Sequence, residues 1–354
     1  MKGLILSGGR GTRLRPLTHT NAKQLVPIAN KPVLFYGLGA MREAGIEEVG
    51  IIVGETRKDI ERAVEDGSQW GLKVTSIDQP EPLGIAHAVA IAEPFIGSDP
   101  FVVYLGDNIL RDGIVELVDE FLRRRPNGQI MLARVDNPQQ FGVAELEGEK
   151  VVRLEEKPKK PKSDLALVGV YMFDSSIFEA VKRIRPSWRN ELEITDAIQH
   201  LIEQKFHVES HIINGWWKDT GKIEDMLEAN RMVLDTFEER VEGSVDEGST
   251  VEFKVVVEPG AKILASTIRG PAIIGHEAIV ENSYIGPFTS VDRGVRIINS
   301  EVEHSIVLES SVIEDIPVRI ADSLIGRDVV VAKSPAKPKV YRFMLGDSSR
   351  VGIL

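Results

Sequence analysis

Through the first hundred residues, short runs of apolar side chains alternate with stretches that mix apolar and charged positions. Lys2–Ser7, Val49–Val53, Lys73–Gln79 and the uninterrupted Phe101–Leu105 read as strands. Between them a helix is predicted from Asn30-Lys31-Pro32, with Asn as cap and Pro in the first turn, to Gly45. Two more are predicted over Asp59–Glu65 and the alanine-rich Gly84–Ala92. Strands so continuously apolar belong in a parallel sheet covered on both faces. The pattern predicts a doubly wound α/β domain with its ligand at the carboxyl ends of the strands.

From 111 to 240 the alternation loosens. Gly113–Arg125 reads as a helix, then Ile130–Val135, Val143–Leu146, Val151–Glu155 and Ala166–Phe173 as strands. Helices near Ser175–Ile184 and Glu193–Gln204 and a strand Val208–Ile213 precede a long helix, Ile223–Arg240. The lysine-rich segment 157–162 reads as a solvated turn rather than a nucleic-acid patch. Beyond Gly243 the period changes: from 251 to 331, 27 of 81 residues are Val or Ile, without a helical repeat. They recur at five- to six-residue steps, through Ile268, Ile274, Val280, Ile285, Val291, Ile297 and Val302. A six-residue period that returns every 17–18 residues predicts a triangular parallel β-helix, a fold that implies no function by itself. The expected domains are 1–240, 241–332 and a closing strap 333–354 with Pro335 and Pro338.

The chain has 354 residues and no cysteine, which excludes disulfides, thiolate metal sites and a cysteine nucleophile. Its first apolar run, Leu4–Leu6, is too short for a signal-peptide core, and no segment has the length of a membrane span, so a cytoplasmic protein without a membrane partner is expected. A net charge of −11 argues against nonspecific nucleic-acid binding. That charge is uneven. Residues 1–42 hold no Asp or Glu but contain Lys2, Arg10, Arg13, Arg15, Lys23, Lys31 and Arg42. This basic stretch coincides with the glycine-rich turn Ser7-Gly8-Gly9-Arg10-Gly11-Thr12-Arg13-Leu14, as a polyanion site requires.

Two familiar phosphate loops do not fit this turn. A Walker loop needs Lys-Ser/Thr after its glycines, and none is present. A dinucleotide fingerprint begun at Gly9 would place its third glycine at Leu14, and no acid occurs before Glu43. Asp107 falls two residues beyond the strand Phe101–Leu105, a position as suitable for a turn as for a ligand. Paired with Asp219 in Trp-Trp-Lys-Asp-Thr-Gly, it becomes a candidate Mg2+ site, since Mg2+ favours one or two carboxylates with phosphate and water.

GGRGTRLRPLT followed by AKQLVPIANKP resembles the signature of the sugar-1-phosphate nucleotidylyltransferases. The likeness continues in family order through Leu83–Ala88, Leu105–Asn108, Phe141–Val143, Glu155–Pro158, Gly169–Tyr171, Glu191–Asp196 and Trp217–Gly221, spanning residues 3–225. It implies a Rossmann-like doubly wound mixed sheet followed by a left-handed parallel β-helix. It implies passage of a deoxythymidylyl group from dTTP to glucose 1-phosphate with Mg2+ on Asp107 and Asp219, in a homo-oligomer. Arg13, Lys23 and Lys157 are then the catalytic cations. Gly8, Gly9, Gly11, Thr12, Arg13, Lys23, Gln24, Gln79, Gly84 and Asp107 would hold the nucleotide. Phe141, Gly142, Glu156, Lys157, Val168, Tyr171 and Glu193 would hold the sugar phosphate.

Leu83 stands where many shorter relatives carry Asp, which weakens a choice between ribose and deoxyribose. Uridylyl or other nucleotidylyl transfer is therefore the nearest alternative, and a non-catalytic regulatory subunit the alternative of another class. Trp216 and Trp217 suit a hexose wall and hydrophobic packing equally. His87 reads as structural. His276 and His304, in the β-helix, would suit an acyl-transfer site, but no long loop is visible to form its channel.

Overall fold

The computed structural model describes residues 1–9, 11–19, 22–148, 150–334 and 341–353. Arg10, Pro335 and Pro338 therefore lie outside the described residues. The chain divides into two compact units. The first comprises the N-terminal strand, the short segment carrying Lys23, and Val33–Asp219. The second begins at Thr220 and includes two N-terminal pieces, the turn that carries Arg13 and the hairpin segment Val26–Pro32.

The first unit is built on a mixed sheet of nine strands. We number its strands and those of a separate antiparallel pair β1 (Lys2–Leu6), β2 (Glu48–Val53), β3 (Lys73–Asp78), β4 (Phe101–Leu105), β5 (Asn108–Leu110), β6 (Gly128–Arg134), β7 (Gly142–Glu147), β8 (Lys150–Glu156), β9 (Leu165–Phe173), β10 (Val208–Ile212) and β11 (Trp217–Asp219). The main path runs β8-β7-β9-β4-β1-β2-β3, with β6 on β9 and β10 on β6. β4, β1, β2 and β3 are mutually parallel, as their unbroken apolar runs predict, and β9 enters antiparallel to β4. Alternate residues divide between two cores: Leu4, Phe101 and Val103 face one, Ile5, Val102 and Tyr104 the other. β5 and β11 form a separate antiparallel pair.

Helices α1 (Val33–Glu43), α2 (Arg57–Val64), α3 (Ile85–Ile91), α4 (Val115–Arg124), α5 (Ser176–Arg183) and α6 (Ile194–Glu203) agree with the expected segments except at one end. The start of α1 is a correction. Asn30 does not cap it; Ala29 and Asn30, at φ 48° and 61°, form the turn of a hairpin between Pro27–Ile28 and Lys31–Pro32. Asn is favoured both at helix caps and in left-handed turns, so its presence did not distinguish the two.

In the second unit, α7 spans Ile223–Leu234 rather than reaching Arg240. Lys254 Nζ donates to the Asp235 carbonyl at 2.6 Å, and Thr236 Oγ1 to that of Val233 at 2.7 Å, closing the helix end. The chain then winds through three parallel sheets of six, six and four strands. Up to the last coil each strand pairs with the third one onward, as Val255↔Ala272 and Ala272↔Thr289 show, so one coil takes three strands and this is a parallel β-helix. Val255, Ile263, Ile268, Val280 and Ile297 fill its interior. A serine ladder binds successive coils: Ser283 Oγ accepts from Ser300 N at 3.1 Å, as Ser266 Oγ does from Ser283 N at 3.0 Å. The described tail, 341–353, contains no helix or strand, and Tyr341 and Phe343 stack at 6.0 Å while remaining exposed.

Candidate active site

The glycine turn begins where β1 ends. A β-carbon on Gly8 would lie 3.0 Å from Gln79 Oε1, and one on Gly9 3.1 Å from Lys23 Cε. Side chains at these positions would press on the ends of Gln79 and Lys23, which would have to give by a few tenths of an ångström. Gln79 Nε2 donates to the Gly84 carbonyl at 3.3 Å and meets His87 Nδ1 at 3.0 Å. Gly84 itself, at φ 105°, would place a β-carbon 2.4 Å from the Leu192 carbonyl oxygen. Gln24 is buried, and its Oε1 accepts no hydrogen bond.

Lys23 forms a largely buried ion pair with Asp107, just past β4. Burial pushes the Asp107 carboxyl upward, but the Lys23 ammonium, its hydrogen bond and one from Asn108 outweigh this, leaving it below the ordinary carboxylate range. Asn108 links both sides of the site. Its Nδ2 donates to Asp107 Oδ1 at 3.0 Å, and its Oδ1 accepts from Trp217 Nε1 at 2.5 Å. Asp219 lies opposite Asn108 in the β5–β11 register, which brings the second candidate ligand to the residue next to the first. The pair offers only hard carboxylate oxygens, a donor set that fits Mg2+ completed by phosphate and water. Among the described residues no group of three or more His, Asp or Glu competes for a metal.

A second cluster gathers at the ends of β7 and β8. Glu156 Oε1 lies 3.7 Å from Lys157 Nζ and 3.5 Å from Arg189 Nη1, while its Oε2 accepts from Thr195 Oγ1 at 3.3 Å. The same guanidinium nitrogen lies 3.5 Å from Glu193 Oε1, which also accepts from Ser187 Oγ at 2.8 Å. Burial and then the neighbouring Glu193 raise the Glu156 carboxyl above its usual range. A β-carbon on Gly142 would lie 2.6 Å from Thr195 Cγ2 and 3.2 Å from Glu156 Oε2. Phe141 meets Trp217 edge-on with ring centroids 5.3 Å apart. Burial raises the Tyr171 phenol, and the charges of Glu156 and Asp107 both add to this.

The structure therefore groups Gly8, Gly9, Lys23, Gln79, Gly84 and Asp107 on one side, and Phe141, Gly142, Glu156, Lys157 and Glu193 on the other. Val168 is a fully buried core residue, so its backbone is what it can present to a ligand. Gly11, Thr12 and Arg13 belong to the second unit; Gly11 has φ 63° and Arg13 is exposed. Asn108 and Thr195 sat inside recognised motifs without a role, and Arg189 two residues before one. Only their side-chain contacts reveal what they do. In the β-helix, His304 Nδ1 pairs with Asp322 Oδ1 at 2.5 Å.

Parallel strands ending at a glycine turn, with acids and cations around it, suit an α/β protein that handles phosphates. Residues 2–236 match the Nucleotidyl transferase family, and the chain belongs to that family. It is 56% identical to a glucose-1-phosphate thymidylyltransferase of Streptomyces antibioticus over 355 residues, covering 100% of this chain and 99% of that one. It is 55% identical to the enzyme of the same name from Streptomyces griseus, with the same coverage. A solved Bacillus anthracis structure in complex with a sucrose, assigned to the same enzymes, matches with a TM-score of 0.64 and 36% identity over 68% of this chain and 98% of that one.

Proposed function

We propose that this chain transfers a deoxythymidylyl group from dTTP to glucose 1-phosphate, yielding dTDP-glucose and pyrophosphate. The observation that carries the reading is the Lys23–Asp107 pair beside the Gly9 turn, together with the Glu156–Arg189–Glu193 cluster of the same unit. The full-length likeness to thymidylyltransferases supports the choice of substrates.

A phosphate monoester is already nucleophilic, so the task is to neutralise and align two anions that repel each other. Lys157 and Arg189 take the sugar phosphate, and Glu156 and Glu193 accept hydrogen bonds from sugar hydroxyls. Lys23 turns from Asp107 toward the triphosphate. Arg13, on the continuation of the glycine turn, takes the pyrophosphate as it departs. Gln79 and the backbone at Gly84 meet the base, with Gln24, Gly11 and Thr12 completing the nucleotide contacts. Asp107 and Asp219 would hold Mg2+, which when bound would supply positive charge to offset that of the phosphates. The reaction is direct in-line displacement at the α-phosphorus, without a covalent enzyme intermediate. A cytoplasmic homo-oligomer with no nucleic-acid or membrane partner is part of the same proposal. It is supported by the net charge of −11 and by the lack, among the described residues, of a helix long and apolar enough to cross a membrane.

Crossing dTTP, UTP, CTP, ATP and GTP with several hexose 1-phosphates in a pyrophosphate-release assay tests the reading. Fastest release from dTTP with glucose 1-phosphate is expected. Faster release with UTP would move the assignment to uridylyl transfer, and none with any pair would leave a regulatory subunit.

A further inference from the structure

Within the first unit, the segment 184–193 joins α5 to α6 and carries both Arg189 and Glu193, with no helix or strand of its own. Trp188 in its middle is 83% exposed, so burial of that ring does not fix the shape of the segment. Hydrogen bonds do. Ser187 N donates to the Glu191 carbonyl at 2.8 Å and Asn190 N to that of Ser187 at 2.9 Å, closing a turn with Asn190 at φ 60°. Just beyond it, Leu192 N donates to the Leu83 carbonyl at 2.7 Å, and the Leu192 carbonyl accepts from Ala86 N at 3.1 Å. That end is thereby clasped to the first turn of α3.

The Ser187 hydroxyl ties the turn to the charged cluster. Its Oγ accepts from Arg189 N at 3.1 Å and donates to Glu193 Oε1 at 2.8 Å, both of which one hydroxyl can do at once. Arg189 Nη1 lies 3.5 Å from that same Oε1 and 3.5 Å from Glu156 Oε1, while its Nη2 donates to Glu191 Oε1 at 2.9 Å. Glu193 is 4% exposed, and among the described residues both of its side-chain contacts fall on Oε1, so Oε2 is the oxygen to accept from a ligand hydroxyl. We propose that Ser187 is a positioning residue of the sugar-phosphate subsite: by accepting from the Arg189 backbone and donating to Glu193, it sets the guanidinium and the carboxylate where a hexose phosphate meets them. This rests on the roles given above to Arg189 and Glu193. Ser187 itself touches no reacting atom.

Ser187→Ala is a mild test, because only the hydroxyl is lost and the backbone bonds to Glu191 and Asn190 remain. The KM for glucose 1-phosphate is expected to rise about fivefold or more, with the KM for dTTP changed by less than about twofold. Ser187→Thr keeps the hydroxyl and should bring the glucose 1-phosphate KM back to within about twofold of the parent. General destabilisation would instead lower kcat with both KM values held. That result, an equal rise in both KM values, or a threonine variant as impaired as the alanine one overturns the proposal. In substrate-free protein, nitrogen spin relaxation should show the Arg189 Nε–H more mobile in Ser187→Ala than in the parent, and an unchanged order parameter also overturns it. If the unmodified protein does not use dTTP with glucose 1-phosphate, the functional reading fails separately. The Arg189 relaxation then decides the positioning: greater mobility supports it and an unchanged order parameter overturns it.

Discussion

At Glu156, the requirements of binding and of stability oppose each other. Its carboxyl is raised by burial and by Glu193, so the native state binds its proton more tightly than the unfolded chain does. The native state then holds more protons, and stability declines as pH rises from the unfolded carboxyl range through the raised native value. Glu156→Gln removes that decline. The variant should melt higher than the parent at pH 8, with the gap closing as pH falls toward 4, in scanning calorimetry without substrate. Its KM for glucose 1-phosphate should nevertheless rise roughly 10- to 100-fold, the worth of a charge-assisted hydrogen bond. A lower melting temperature at pH 8 would show that the Arg189 and Lys157 contacts outweigh the burial. At Asp107 the balance is reversed, since Lys23 and Asn108 favour the charged form. Asp107→Asn should reduce pyrophosphate release roughly 10²- to 10³-fold, as loss of a preorganised charge does. Less than a tenfold loss would remove it from the metal role.

Among the elements, the β5–β11 pair depends on a space left by β9. A β-carbon on Gly169 would lie 2.5 Å from Asn108 Oδ1, the atom that receives the Trp217 indole N–H. Gly169→Ala must displace the Asn108 amide and with it the support of Asp107 and the register that places Asp219. We expect turnover to fall at least about 30-fold, with the apparent Mg2+ requirement shifted upward, and a melting temperature lowered by a cost of about 1–3 kcal/mol. Unchanged Mg2+ dependence would separate Asn108 from the metal site. Element boundaries were legible where one signal acted alone. The strand Phe101–Leu105 matches residue for residue because every member is apolar. Helix α7 was overextended because the Lys254 contact that closes it comes from residues 19 positions onward, beyond any local pattern.

For the whole molecule, the two units are not successive lengths of chain, because N-terminal residues belong to the second. A chain ended after residue 240 would lose Phe288, Ser290 and Val291, the partners of Asn230 and Asn30. Several buried polar groups would then be unsatisfied, at about 1–3 kcal/mol each. We expect this truncation to be poorly soluble, with far-UV circular dichroism retained but loosened near-UV signals. A soluble, fully active fragment would show that the bonds of Asn230 and Asn30 are dispensable.

The sequence by itself determined the sheet's strands and the β-helix with its coil length. Each is written in local pattern, because burial on two faces or a coil repeat imposes a period on neighbouring positions. Only the tertiary structure decided the role of Arg189 between two carboxylates and of Asn108 between Asp107 and Trp217. Those roles arise from polar groups that folding encloses together across long stretches of chain, and a buried donor or acceptor is defined by the partner it meets rather than by its neighbours in sequence.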